Sequence, residues 1–161
     1  MAKGLFSRLP KGALTIVKEI LRHVLRRPVV GIVVAGRTED GRWLLIRRAD
    51  TGTWALPGGT VEWGDTLANT FPRELDEEAG VTSATFERVT GLFSHADRDP
   101  RFHAITVVVR CRVSAPEKPP RNPLEILEAR LFTDEELPDL TTMGMAEMLA
   151  CARDGAPFHF E

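Results

Sequence analysis

The stretch Gly58-Gly59-Thr60-Val61-Glu62-Trp63-Gly64-Asp65, continued through Thr66-Leu67-Ala68-Asn69-Thr70-Phe71-Pro72 to Arg73-Glu74-Leu75-Asp76-Glu77-Glu78-Ala79-Gly80-Val81, decides both the fold and the chemistry. Its second half predicts a helix over 66–79 closed by Gly80, since glycine takes the left-handed cap position without steric cost. Residues three and four apart share a helix face. Glu74, Glu77 and Glu78 therefore present three carboxylates within one turn, with Asp76 to the side. Like charges this close oppose the helix by roughly 0.2–0.5 kcal/mol per pair unless a cation relieves them. Hard oxygen ligands of this kind suit Mg2+, with Mn2+ as a substitute, and these ions suit phosphate substrates. An acidic helix face alone is ordinarily a solvated surface, but the flanks argue for a site. Upstream, a two-glycine turn lets backbone approach a metal or phosphate closely, and Arg73 can pair with Glu77 one turn on. Pro72 removes a backbone donor and collides with the carbonyl of Ala68, so the helix kinks there or starts later, with the carboxylate turn intact beyond it. Leu67 and Phe71 read as buried anchors, and Leu75 and Val81 as core.

Outward from this window, β-branched runs at 29–35 and 43–47 flank Thr38-Glu39-Asp40-Gly41 and predict a hairpin. Strands follow at 85–93 and 102–113, the second apolar enough to be covered on both faces. Four prolines make 115–123 a loop, and a strand returns at 126–132. Thr133 can cap a short helix through Glu136, and 143–153 predicts a last helix with Gly155 beyond it. The order of elements indicates an α/β sandwich around a mixed β-sheet.

The chain has 161 residues, 43% hydrophobic and 27% charged, which fits one domain, placed at 29–161. Residues 1–28 form an N-terminal amphipathic helical segment, with Leu14, Val17, Leu21, Val24 and Leu25 at helical spacing. Lys18, Glu19, Arg22 and His23 interrupt its apolar run, which argues against a secretory signal or membrane insertion. A homodimer contact is its favoured use, ahead of folding back on its own subunit or peripheral membrane contact. A net charge of −2, from 21 basic and 23 acidic side chains, supplies no field for nucleic acid or anionic lipid, so phosphate binding must be local. Cys111 and Cys151 form no zinc spacing and no disulfide framework; reduced thiols and a cytoplasmic location follow as expectations.

The quoted window resembles the Nudix box: Gly, five residues, Glu, seven residues, Arg-Glu, an aliphatic, any residue, Glu-Glu, any residue, Gly, an aliphatic. Gly59, Arg73, Glu74, Leu75, Glu77, Glu78, Gly80 and Val81 fall in place, and only the first glutamate departs, being Asp65. The resemblance implies a divalent-cation-dependent hydrolase of nucleotide diphosphate linkages on a Nudix-type α/β/α sandwich. It makes Glu74 and Glu78 principal metal ligands, Glu77 a further ligand or metal-water partner, the Gly59 carbonyl a backbone ligand, and Arg73 the residue that orients the glutamates. Asp65, one methylene shorter, is a supporting residue.

For the substrate, Arg48 and Trp54 lie on the approach to the glycine pair, where a guanidinium can reach phosphate and an indole can stack on a base or pack in the core. The stretch Ser94-His95-Ala96-Asp97-Arg98-Asp99-Pro100-Arg101-Phe102-His103 is polar and resembles a segment of the short ADP-ribose and nucleoside-diphosphate-sugar pyrophosphatases. It offers Arg98, Arg101 and His103 as substrate contacts, or else a turn into the next strand. Glu125, at a loop edge after Pro123, is the preferred base. These features favour a small nucleotide as partner, ADP-ribose or an ADP- or GDP-sugar; the alternatives are an (8-oxo-)nucleoside triphosphate pyrophosphohydrolase and a catalytically silent nucleotide-binding module.

Overall fold

The structure, a computed structural model, describes residues 15–17, 19, 21, 27–140 and 142–161. Its strands are β1 (Val29–Arg37), β2 (Trp43–Arg48), β3 (Trp54–Ala55), β4 (Gly58–Thr60), β5 (Ala84–Phe93), β6 (Ala104–Val113), β7 (Ile126–Phe132) and β8 (His159–Phe160). Helix α1 is Leu67–Ala79 and helix α2 is Met145–Ala152, preceded by a 3-10 turn at Thr142–Gly144. The strands form one mixed sheet, ordered β3-β2-β1-β6-β5-β8, with β4 added on β1 and β7 on β2. This is the expected α/β class.

The hairpin expected between β1 and β2 closes at its turn, where the Thr38 N–H donates to the Arg42 carbonyl at 2.9 Å and Gly41 takes φ +87°. Beyond the pair Arg37 and Trp43 the two strands part. β1 runs parallel to β6 over its whole length and antiparallel to β4, while β2 pairs with β3 and β7. Helix α1 packs against strands of both groups, β1 and β4 as well as β2 and β7. β6 is buried at five consecutive residues, 107–111, as a strand covered on both faces must be.

Several local expectations are corrected. The glycine pair is not a turn: Gly58 and Gly59 lie opposite Val33 and Ile32 as strand β4. Thr133 and Glu136 make one half of a capping box: the Thr133 N–H donates to the Glu136 carboxylate at 3.3 Å, but the Glu136 N–H donates to the Thr133 carbonyl and not to its side chain, and no helix follows. Residues 137–140 instead carry no regular structure and bring Leu140, 5% exposed, into the core. Helix α1 neither stops nor restarts at Pro72. It begins at Leu67 on the cap Thr66, whose side chain accepts from the Asn69 N–H, and continues to Gly80 in the left-handed conformation. Leu67 faces solvent at 37% exposure, so Phe71, half-buried against the core and Phe86, anchors that end of the helix. The last helix starts at Met145 because Met143 and Gly144 both take positive φ, 56° and 71°.

In the N-terminal segment, Thr15, Ile16, Val17, Glu19 and Leu21 are helical, with Ile16, Val17 and Leu21 exposed. Leu14, Val24 and Leu25 lie outside the described residues. Among the described residues no helix is long and apolar enough to cross a membrane. Cys111 and Cys151 are free thiols, and burial pushes Cys111 up to about 12, which leaves it unreactive near neutrality.

Candidate active site

A cavity of about 660 Å³ opens between β4, α1, the loop 94–103 and the start of α2. Its acidic wall is built by the glycine strand and the helix. Glycine is required at both β4 positions for close approach, since neither has positive φ. A Cβ at Gly58 would sit 2.2 Å from the Ile32 carbonyl oxygen, and one at Gly59 would sit 2.4 Å from Oε1 of Glu74. The backbone is thereby brought onto the carboxylates. The Gly58 N–H donates to Oε2 of Glu78 at 2.8 Å.

Glu74 is buried, 8% exposed, and its carboxyl is pushed up first by that burial and then by the charge of Glu77, against the pull of Arg73. Glu78 is pushed up to about 7, again first by burial, while the Gly58 N–H opposes the shift; the charges of Glu74 and Glu125 raise it further. A buried carboxylate at Glu74 and a half-buried one at Glu78, whose ionisation the charge of Glu74 disfavours, are a donor set that a divalent cation would complete. Among the described residues no three acidic, histidine or cysteine side chains converge on a metal position by themselves, so a cation held here would also need backbone carbonyl or water oxygens. Gly59 lines the same wall.

Arg73 is the hub of this corner. Its guanidinium lies 2.9 Å from Glu74 and 3.3 Å from Glu77, with Glu62 and Asp65 at 3.9 and 4.0 Å. Asp65 does not line the cavity; it turns back on the helix start, accepting from the Thr66 N–H at 2.8 Å and from the Thr70 hydroxyl at 3.3 Å. Glu77 is held from its other side by Arg121 at 2.7 Å, a contact that sequence reasoning missed. Arg121 and Lys118 also grip Asp76, and the Lys118 carbonyl presses on Gly80, so the proline-rich loop clasps the end of α1.

Arg48, Arg98, Arg101 and Glu125 also line the cavity, and the charges of Arg48 and Glu125 both reach Glu78. Arg48 is paired with Asp50 through two bonds, at 3.0 and 2.6 Å, and Arg101 with Asp99 through two, at 2.9 and 2.7 Å. Glu125 is exposed at the rim, its backbone tied to Ala49. The apolar part of the lining, Met143, Met145, Met148, Leu124 and Phe102, had no signal in the sequence pattern that set it apart from core. Trp54 and His103 do not line the cavity. The Trp54 ring packs edge-on against Phe132 with centroids 4.8 Å apart, and His103 Nε2 donates to the Ser94 carbonyl at 2.8 Å.

Arg98 lines the cavity, but its guanidinium is engaged elsewhere. It binds Glu161 through Nε and Nη2, lies 2.9 Å from Glu147 of α2, and covers the Phe93 ring at 4.9 Å.

Comparison with known proteins bears on this arrangement. Residues 25–150 match the family described as NUDIX domain. A MutT-like protein of Streptomyces ambofaciens is 35% identical over 131 residues, covering 81% of this chain and 79% of the relative. An ADP-ribose pyrophosphatase of Methanocaldococcus jannaschii is 41% identical over 73 residues, covering 44% of this chain and 43% of the relative. Among solved structures, an ADP-ribose pyrophosphatase of Streptococcus suis is similar with a TM-score of 0.68 and 26% identity, over 84% of this chain and 100% of that one.

Proposed function

Because the chain belongs to the Nudix family of hydrolases, we propose that it cleaves the diphosphate linkage of a nucleoside diphosphate sugar, ADP-ribose or an ADP- or GDP-sugar, into a nucleoside monophosphate and a sugar phosphate. The observation that carries this reading is the cavity itself, which places the carboxylates of Glu74, Glu78 and Glu125 beside Arg48 and Arg101 and beside an apolar wall. A ligand with a charged centre and two less charged ends suits such a lining. The names of the relatives from Methanocaldococcus jannaschii and Streptococcus suis support the same substrate class.

In this reading Glu74, Glu78 and the Gly59 carbonyl would hold Mg2+ or Mn2+, with Glu77 as a further ligand or water partner. Held there, a divalent cation would supply charge to offset that of the diphosphate and would acidify the attacking water. Arg73 keeps Glu74 and Glu77 in place through the pairs already described. Glu125, whose charge reaches Glu78, takes the proton of the attacking water. Arg48 and Arg101 exchange their aspartate partners for phosphate oxygens, which a guanidinium fork matches equally well.

A panel of nucleotides assayed with Mg2+, with products separated by chromatography, tests the substrate class. ADP-ribose or another nucleoside diphosphate sugar should show a kcat/KM above that of any nucleoside triphosphate. An advantage of about tenfold or more for 8-oxo-dGTP would defeat the substrate assignment while leaving the family's chemistry in place. We also propose that residues 1–28 support a cytoplasmic homodimer, on the strength of the exposed Ile16, Val17 and Leu21. Sedimentation of a chain starting at Val29 should show a halved mass, and an unchanged mass would remove that role.

A further inference from the structure

Residues 159–161 lie behind the wall of the cavity, where Glu161 binds the lining residue Arg98. β8 runs parallel to β5, with His159 opposite Gly91 and Phe160 opposite Leu92, and the His159 ring stacks on Phe93 at 4.3 Å. The strand delivers Glu161 beneath the loop 94–103. Its side chain is 8% exposed, and its carboxylate accepts from the Ser94 N–H at 2.7 Å, from the His95 N–H at 3.0 Å and from both Nε and Nη2 of Arg98. The Ser94 hydroxyl donates to the Glu161 carbonyl at 3.2 Å. A buried carboxylate with this many donors is held rigidly, and it holds its donors rigidly in turn. Arg98 extends the tie to Glu147 and fits so closely against Gly144 that a Cβ there would meet Nη1 at 2.3 Å. β8, the loop and the start of α2 are thus joined at one point.

The consequence lies three residues further along the loop. Arg101 lines the cavity, and its nearest fixed partner is Asp99, itself a loop residue, so the pair moves with the loop. The pair feels the charges of Arg48 and Asp50 but makes no hydrogen bond to them. The far end of the loop is fixed where the Val29 N–H donates to the His103 carbonyl at 2.9 Å, and its near end by the contacts of Ser94, His95 and Arg98 with Glu161.

We propose that Glu161 is a positioning residue for substrate: through Arg98 it sets the loop 94–103 so that Arg101 meets the anionic part of the nucleotide in the cavity. Arg98, on this view, serves as part of the clasp and makes no phosphate contact of its own. The inference rests on the cavity being the substrate site, as proposed above, but not on which diphosphate compound is cleaved.

The test uses the full chain and whichever nucleotide of the panel it turns over. Glu161→Gln keeps the size of the side chain and weakens its grip on Arg98. It should raise KM about tenfold while kcat stays within about threefold, because the acidic wall is untouched. Arg101→Ala should raise KM by a similar factor, and the double variant should be no worse than the more impaired single one, since both remove the same contact. Multiplying effects on KM, or an unchanged KM in Glu161→Gln, would overturn the proposal, as would a fall in kcat as large as the rise in KM in the folded variant. Should Glu161→Gln fail to fold, Glu161→Asp retains the charge but falls one methylene short. It should raise KM by a smaller factor, and a wild-type KM in that folded variant would equally overturn it. The ratio of variant to wild type decides on the clasp, whereas the ranking of substrates in the wild type decides on the substrate class, so the two can fail separately.

Discussion

The two walls of the cavity are built in opposite ways. In the acidic wall most contacts lie within one short stretch: Gly58 donates to Glu78, Gly59 makes room for Glu74, and Arg73 pairs with its neighbours on the same helix, while Arg121 braces Glu77 from the proline-rich loop. In the other wall the loop 94–103 is held by Glu161, 63 positions beyond Arg98. The first wall is fixed by backbone geometry and helix spacing, the second by side chains brought together only when the chain has folded. If the site works as proposed, the metal-holding part of the cleavage chemistry is encoded locally, and the loop that would meet the substrate is assembled from a distance. Damage to the first wall should strike kcat with little effect on KM, and damage to the second should do the reverse.

The largest effect that can break this contrast is expected from Glu78→Gln. The substitution keeps the shape of the side chain but removes a charge that a bound cation needs, so kcat should fall by roughly a thousandfold or more. Calorimetry should find the fold kept, because the opposite face of α1 is anchored through Leu75, which is fully buried. Retention of a tenth of the wild-type kcat would remove Glu78 from the ligand set.

A smaller effect, but a sharper one, comes from the glycine pair. Gly59→Ala directs its new methyl at the movable end of Glu74, whereas Gly58→Ala directs it at the Ile32 backbone. The first should therefore lower kcat by about a hundredfold with little change in Tm. The second should lower Tm by several degrees through loss of the β1 and β4 pairing. Equal losses of Tm in both variants would show that the two glycines serve the strand alone.

The same contrast explains what could be read from the sequence. The acidic face of α1, its cap at Gly80 and the pair Arg73 with Glu77 follow from spacing, because helix geometry converts residue number directly into position. β6 was legible because burial on both faces demands continuous apolarity. Strand β4 was not, since glycines and a proline carry turn chemistry, and only the partner strand β1 makes them extended. Thr133 and Glu136 show the limit of a local signal: the Glu136 side chain reaches back to the Thr133 N–H, yet Leu140 is drawn into the core and no helix forms. β8 has two residues and Glu161 no motif, so their role depends wholly on where β5 and the loop 94–103 lie. Trp54 admitted two readings, and its distance from the cavity wall was set by Phe132, a residue on another strand.

The smallest expected effect concerns pH, and it has opposite signs in the two walls. Burial raises Glu78 from 4.5 to about 7, so between those values the metal-free native protein holds a proton that the unfolded chain has released. Stability must then fall as pH rises through that window and level off above it. Glu74 shifts in the same direction and adds to the slope. Glu161 is lowered from 4.5 to about 2, first by its bonds to Arg98, so its contribution is fully present above 4.5 and is lost only as pH falls towards 2. The aspartates held below their ordinary value, such as Asp99 beside Arg101, titrate below the window as well. Thermal melts of the metal-free protein from pH 4.5 to 7 should therefore show Tm declining by a few degrees. Glu78→Gln should flatten that decline, whereas Glu161→Gln should lower Tm throughout and leave its slope unchanged. Added Mg2+ should raise Tm most at the upper end of the window, because the cation competes with the proton for the same carboxylates. A Tm that rises with pH in the metal-free protein, or a slope that survives in Glu78→Gln but vanishes in Glu161→Gln, would reverse the roles assigned to the two walls.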